Sequence, residues 1–231
     1  MFASTRPYAL EAGIDGPIVC YQGALVAEAL SEKILHHSPI PIELAREALI
    51  KIMETGYSPN IYIDDTMYVS EHTEYTQHYG RFQHIKVRAV GDLLTFLDRS
   101  PTKIVLVASP DELGPIEEKL RTHFAERMFV TRSLPHFLEF AAANVTKGSG
   151  LSFVTNHIGV SLDETIAFGD GENDIELFEA AFYGIAVGEA HPHLHSVANW
   201  TCPGPEAEGV ATVIEALLKA NIGPNTTEET N

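Results

Sequence analysis

A group of carboxylate and amide side chains follows the short apolar run Thr165–Phe168. The next six residues are Gly169-Asp170-Gly171-Glu172-Asn173-Asp174, and a segment with helical spacing comes after them. The apolar run is typical of a buried strand, so these polar residues lie at its C-terminal end, where open α/β sheets bind their ligands. Carboxylate oxygens are hard ligands that suit Mg²⁺. We therefore predict a magnesium site that includes Asp170 and Asp174.

The alternative for this segment is a plain strand-to-helix turn in which Asn173 or Asp174 caps the next helix. Capping needs one such side chain, whereas this segment has four polar groups within five residues. This surplus favours the metal site.

The elements that must position these residues form two kinds of pattern. From about Asn144 strands and helices alternate, as in a doubly wound parallel sheet, with helices predicted at 148–158, 173–181, 192–199 and 209–220. Between about 41 and 140 the order of a helix, two strands, a helix, a strand, a helix and two strands predicts an α+β layer of its own. The sequence therefore predicts an α/β core with an inserted α+β unit.

These patterns resemble the haloacid dehalogenase (HAD) superfamily of phosphohydrolases, in particular its Cof-type branch. The likeness extends from about Pro7 to Ile222, and Gln22 is a departure, because the branch usually has Asn before Gly23-Ala24. The segments that carry it are Gly169–Asp174, similar to the fourth family motif; Val145–Gly148 and Leu151, similar to the region of the third-motif lysine; Gly184–Ala190, similar to the next core strand; and Glu208–Val210, similar to the start of the last helix.

The resemblance implies a HAD-like Rossmannoid core with a cap domain. We expect an N-terminal remnant of the core at 1–28, the cap at 29–136, the C-terminal part of the core at 137–222 and a disordered tail at 223–231.

The resemblance also implies a role for each site residue. Lys147 is expected to be catalytic and to bind the substrate phosphate, pairing with the nucleophile and with the transferring phosphoryl group. Asp170 is expected to bind Mg²⁺ directly, with Asp174 acting from behind it. Asn173 is expected to bind phosphate or a water on the metal, and Ser4 the phosphate.

The nucleophile motif of the family, Asp-x-Asp-Gly-Thr, does not occur in this sequence. Ile14–Pro17 has one aspartate followed by a proline and is predicted to be a loop, and Ile61–Thr66 is predicted to form a hairpin turn. We therefore expect the segment with strand one and both catalytic aspartates to be missing, as in a truncated enzyme.

The charge and composition limit the partners. A net charge of −17 argues against nucleic acid and anionic membranes as partners. The family resemblance implies a small phosphorylated metabolite as the partner. No signal-peptide pattern or membrane span is evident, which predicts a cytoplasmic location. The protein is expected to be a monomer or a homodimer. The two cysteines, Cys20 and Cys202, lack metal-type spacing, and Cys20 is predicted to be a buried thiol.

The resemblance thus implies a Mg²⁺-dependent phosphatase that hydrolyses small phosphomonoesters, such as sugar phosphates, through an aspartyl-phosphate in the complete family member. The alternative is a catalytically inactive protein, truncated or lacking the nucleophile, that binds phosphorylated metabolites.

Overall fold

The computed structural model describes residues 1–221, in which the chain forms three β-sheets flanked by helices. The helices are α1 (Phe2–Glu11), α2 (Ile42–Met53), α3 (Glu74–Phe82), α4 (Leu93–Phe96), α5 (Pro110–Phe124), α6 (Lys147–Ile158), α7 (Ile175–Ala180), α8 (Pro192–Val197) and α9 (Gly209–Asn221). The strands are β1 (Pro17–Cys20), β2 (Leu25–Glu28), β3 (Ile34–His37), β4 (Asn60–Ile63), β5 (Thr66–Val69), β6 (Lys86–Ala89), β7 (Lys103–Val107), β8 (Met128–Leu134), β9 (Phe137–Ala142), β10 (Ile166–Gly169), β11 (Tyr183–Val187) and β12 (Trp200–Cys202).

A parallel sheet of β10, β11 and β12 forms the C-terminal core. Helix α7 joins β10 to β11 and α8 joins β11 to β12, so the chain forms two successive βαβ units. Phe178 of α7 and Leu194 of α8 pack on the small residues Ala167 and Ala186 of the sheet. All three strands therefore end at one edge, where the loops carry the predicted site.

A small antiparallel sheet of β1, β2 and β3 precedes the inserted layer. After β1, a 3-10 turn at Tyr21–Gly23 leads into β2. The sequence analysis missed β2 and β3. This sheet extends to His37 at the end of β3, whereas the N-terminal part of the core was predicted to end at residue 28.

The inserted layer is a six-stranded sheet in the order β6-β5-β4-β7-β9-β8. The hairpin predicted around residues 61–69 is confirmed: β4 and β5 pair antiparallel around Asp64 and Asp65, which both have positive φ. Strand β9 pairs with β7 and β8, so this sheet extends to Ala142, past the predicted domain boundary at 137. The division into domains stays a prediction, and the predicted tail lies outside the described residues.

Strand β4 shows how this layer joins the rest of the chain. Ile61 and Ile63 point into a core formed with α2, α4 and α5, whereas Tyr62 points to the opposite face. On that face Tyr62 packs with residues of β1 and α1, including Cys20 and Ala9. The alternation along one strand therefore ties the inserted layer to the N-terminal sheet. Among the described residues, no helix is long and apolar enough to cross a membrane.

Candidate active site

The loop after β10 is organised by the buried carboxylate of Asp174. Its Oδ2 accepts hydrogen bonds from the backbone N–H groups of Asp170 (3.1 Å) and Gly171 (3.0 Å). A 3-10 turn, Glu172–Asp174, continues into α7, so the helix predicted at 173–181 begins two residues later than expected. Hydrogen bonds to a charged acceptor are stronger than neutral ones, and here they fix the backbone that presents Asp170.

Lys147 is the first residue of α6, one residue before the predicted start of this helix. Thr146 caps the helix together with Ser149 in a capping box. The Lys147 ammonium lies 2.5 Å from Asp174 Oδ1. Lys147 and Asp174 are 27 positions apart, yet they share the space between α6 and the loop after β10.

Close packing of α6 on α7 makes this ion pair possible. A Cβ atom at Gly148 would overlap the Glu176 carbonyl of α7, so only glycine allows the two helices to approach this closely. The side chain of Glu176 is half-buried, and burial raises the pKa of its carboxyl group. The helix that carries Lys147 is thus held against the helix that leaves the Asp174 loop.

Asn173 is buried beside Asp174 and contacts a residue that the sequence analysis gave no role. Its Nδ2 donates a hydrogen bond to Gln22 Oε1 at 3.1 Å, and its Oδ1 lies over Gly171. The only sequence signal for Gln22 was its departure from the usual family residue.

Asp170 is the exposed carboxylate of the loop. Its backbone carbonyl accepts a hydrogen bond from the His191 N–H at 2.8 Å, and within residues 1–221 no side chain or N–H donates to its carboxylate. Two cavities, of about 380 and 750 Å³, meet at this residue. The first lies between the loop and the β8–β9 connection, and the second lies at the ends of β10 and β11.

The donor set around Asp170 fits Mg²⁺ only in part. In the described part of the chain, no three His, Cys, Asp or Glu residues lie close enough together to hold a metal. Mg²⁺, however, is commonly bound by one or two carboxylates, with waters and substrate oxygens completing the shell. The free carboxylate of Asp170 suits this arrangement.

Of the other two predicted site residues, Asp174 faces protein donors and Ser4 lies apart from the group. Both oxygens of Asp174 are engaged by protein donors, so its geometry suits positioning the loop and Lys147, as behind a metal ligand, and not direct coordination. Ser4 lies inside α1, and its hydroxyl donates to the Met1 carbonyl. The structure therefore brings Lys147, Asp170, Asn173 and Asp174 together, while none of the hydrogen bonds of Ser4 reaches them.

Comparison with known proteins decides the family. The sequence model of the haloacid dehalogenase-like hydrolases matches residues 1–214. The chain belongs to this hydrolase family. Membership confirms the resemblance and the hydrolase class predicted from the sequence.

Individual relatives and solved structures show which proteins this HAD hydrolase is similar to. It is 26% identical to a putative phosphatase of Haemophilus influenzae over 90% of this chain and 79% of that protein. It is 27% identical to the 5-amino-6-(5-phospho-D-ribitylamino)uracil phosphatase YitU of Bacillus subtilis, over 93% of this chain and 80% of that one. The structure of a HAD-like hydrolase from Bacteroides thetaiotaomicron is 25% identical in sequence and superposes with a TM-score of 0.79. The match covers 93% of this chain and 82% of the Bacteroides chain. These likenesses confirm the α/β Rossmannoid fold class.

Proposed function

We propose that this HAD hydrolase is a Mg²⁺-dependent phosphatase of small phosphomonoesters such as sugar phosphates. The observation that carries the proposal is the grouping of Lys147, Asn173 and the free Asp170 carboxylate around Asp174, at the C-terminal edge of the parallel sheet. The name of YitU describes a phosphatase that acts on a phosphorylated ribityl compound. A relative in Serratia proteamaculans, 26% identical to this chain, is named an HMP-PP phosphatase. Both names denote small phosphorylated metabolites.

Each side chain of the group has a distinct task in this proposal. Asp170 would hold Mg²⁺, which when bound would neutralise charge on the phosphoryl oxygens. The Lys147 ammonium stabilises the negative charge that develops on the phosphoryl group, and the Asn173 amide orients the phosphoryl group. Asp174 keeps Lys147 in place and fixes the loop, so that little reorganisation is needed when the substrate enters.

A second candidate function is binding of phosphorylated metabolites without turnover. Two observations favour it: the sequence has no Asp-x-Asp-Gly-Thr motif, and none of the described residues lining the 300 Å³ cavity beside Lys147 is Asp or Glu. That cavity is apolar apart from Gln22 and Lys147. Attack by a carboxylate would require one to face the phosphoryl group.

Phosphate release from a panel of small phosphomonoesters, with Mg²⁺ or with a chelator, separates these candidates. We expect release that needs Mg²⁺ and is lost in Asp170→Asn, whereas Asp163→Asn, a change at an exposed residue outside the site, retains it. Thermal stabilisation by the same esters without release would favour the binding function instead. Undiminished release by Asp170→Asn would contradict the phosphatase proposal.

A further inference from the structure

Gln22 connects the Asp174 loop to the inserted six-stranded sheet. Its Oε1 accepts the hydrogen bond from Asn173 Nδ2, and its Nε2 donates to Glu139 Oε2 of β9 at 3.0 Å. Gln22 is 117 positions from Glu139 and 151 from Asn173. One side chain thus joins segments from all three sheets.

The chemistry of Glu139 fixes the orientation of both amides. An ionised carboxylate can only accept hydrogen bonds, so the NH₂ group of Gln22 must face Glu139 and its carbonyl oxygen must face Asn173. Asn173 must then direct its own NH₂ group to Gln22. The Asn173 carbonyl oxygen is consequently turned away from Gln22, to the side of Gly171 and the open loop.

Glu139 is a firm anchor for this chain of hydrogen bonds. It is buried, its Oε1 accepts from Lys103 (3.1 Å) and Ser133 (2.6 Å), and Lys103 also lies over the ring of Tyr62. Burial alone would raise the pKa of Glu139, but the Lys103 charge and the hydrogen bonds from Ser133, Gln22 and Lys103 outweigh it and lower the pKa. Glu139 therefore stays ionised and keeps Gln22 oriented.

The backbone around Gln22 is held in an unfavourable conformation. Tyr21 and Gln22 have φ values of 54° and 59°, in a left-handed region that is uncommon and strained for residues other than glycine. Gly23, at φ 106°, lies so close to the Thr146 carbonyl that a Cβ atom would overlap it. Tyr21 is fixed by a 2.6 Å hydrogen bond from its hydroxyl to Asp65. Strain that neighbouring contacts maintain is typical of functional segments.

We propose that Gln22 is a positioning residue that sets the orientation of the Asn173 amide and couples the inserted sheet to the phosphate-binding loop. This inference rests on the proposed function, because it assigns the oriented Asn173 to phosphate binding. The existence of the bridge itself is independent of that assignment.

The test compares Gln22→Met with Gln77→Met. Methionine has the length and flexibility of glutamine but neither donates to Glu139 nor accepts strongly from Asn173, while Gln77 is exposed on α3. Gln22→Glu is a second variant of similar shape, in which a carboxyl oxygen replaces the NH₂ group that donates to Glu139. Two readouts are measured: the Asn173 side-chain NH₂ signals in ¹H–¹⁵N spectra, assigned with Asn173→Asp, and the affinity for inorganic phosphate with Mg²⁺.

In Gln22→Met and Gln22→Glu we expect the Asn173 NH₂ signals to shift and to exchange faster with water. We also expect phosphate affinity to fall about five- to tenfold, as for a lost hydrogen bond in a buried network, with Gln77→Met unchanged. Unchanged Asn173 signals would overturn the bridge. Changed signals with wild-type phosphate affinity would overturn the positioning role. Wild-type protein that binds no phosphate would contradict the proposed function, and the NH₂ signals would then still decide the bridge.

Discussion

At the scale of single residues, Asp174 shows how burial divides roles within a motif. The residue pattern indicated that Asp170 and Asp174 belong to one site, and the family resemblance implied that Asp170 is the direct ligand and that Asp174 acts from behind it. In the structure Asp174 has a side chain that is 6% exposed and is engaged through both oxygens, whereas Asp170 is exposed. Carboxylates four positions apart thus acquire different tasks, because one faces protein donors and the other faces open space.

The Lys147–Asp174 pair should contribute measurably to stability. Lys147→Met leaves the buried Asp174 carboxylate without its cation, so the free energy of unfolding should fall by about 1–3 kcal/mol. Urea denaturation measures this change. The double variant Lys147→Met/Asp174→Asn should lose less than the sum of the single losses, because the two residues act together.

Lys219→Met provides the matched control for this experiment. Lys219 forms an exposed pair with Glu215 on α9, and its loss should change the unfolding free energy by less than about 0.5 kcal/mol. Strictly additive effects of the two site substitutions would show that Lys147 and Asp174 are not coupled.

At the scale of elements, strongly patterned segments were predictable and edge segments were not. The β4–β5 hairpin and α6 agree with their predictions to within two residues. Strand β6 was missed although Lys86–Ala89 alternates polar and apolar residues, because this run is only four residues long and mostly exposed, and its pairing with β5 defines it. Strand β3 is a similar case, at the edge of the N-terminal sheet.

The packing of α6 on α7 should depend on Gly148. Gly148→Ala places a methyl group on the Glu176 carbonyl, and we expect a loss of about 2–3 kcal/mol as the helices move apart. Thermal unfolding followed by circular dichroism measures it. Gly114→Ala, in α5 with no atom within 4 Å of the new Cβ, should instead stabilise the protein by up to about 1 kcal/mol, because alanine favours the helix over glycine. Equal effects at the two sites would contradict the close approach of α6 and α7.

The link between α2 and the end of α5 should give stability a specific pH dependence. Hydrogen bonds from Arg127 and His123 lower the pKa of Glu47 to about 2. Since the unfolded value is about 4.3, this stabilisation is fully present above that pH and is lost as the pH falls toward 2. The stability difference between wild type and Glu47→Gln should therefore shrink as the pH falls from about 4.3 toward 2. A difference that stays constant down to pH 2 would contradict this.

At the scale of the whole molecule, the family motifs located the site but not its connections. The run 169–174 and Lys147 could be assigned from local pattern and family resemblance, because each lies at the end of a regular element. The link from Asn173 through Gln22 to Glu139 could not, because it depends on how three sheets pack and not on any local spacing. The N-terminal sheet likewise extends to His37 and the inserted sheet to Ala142, because strand pairing, not composition, defines the ends of these sheets.

The most direct test of the account is a calorimetric titration of inorganic phosphate into the protein, with Mg²⁺ and with a chelator. The account predicts saturable binding at one site that requires Mg²⁺, is lost in Asp170→Asn and is kept in Asp163→Asn. Phosphate binding of equal affinity without Mg²⁺, or in Asp170→Asn, would contradict the assignment of this loop as a magnesium-dependent phosphate site.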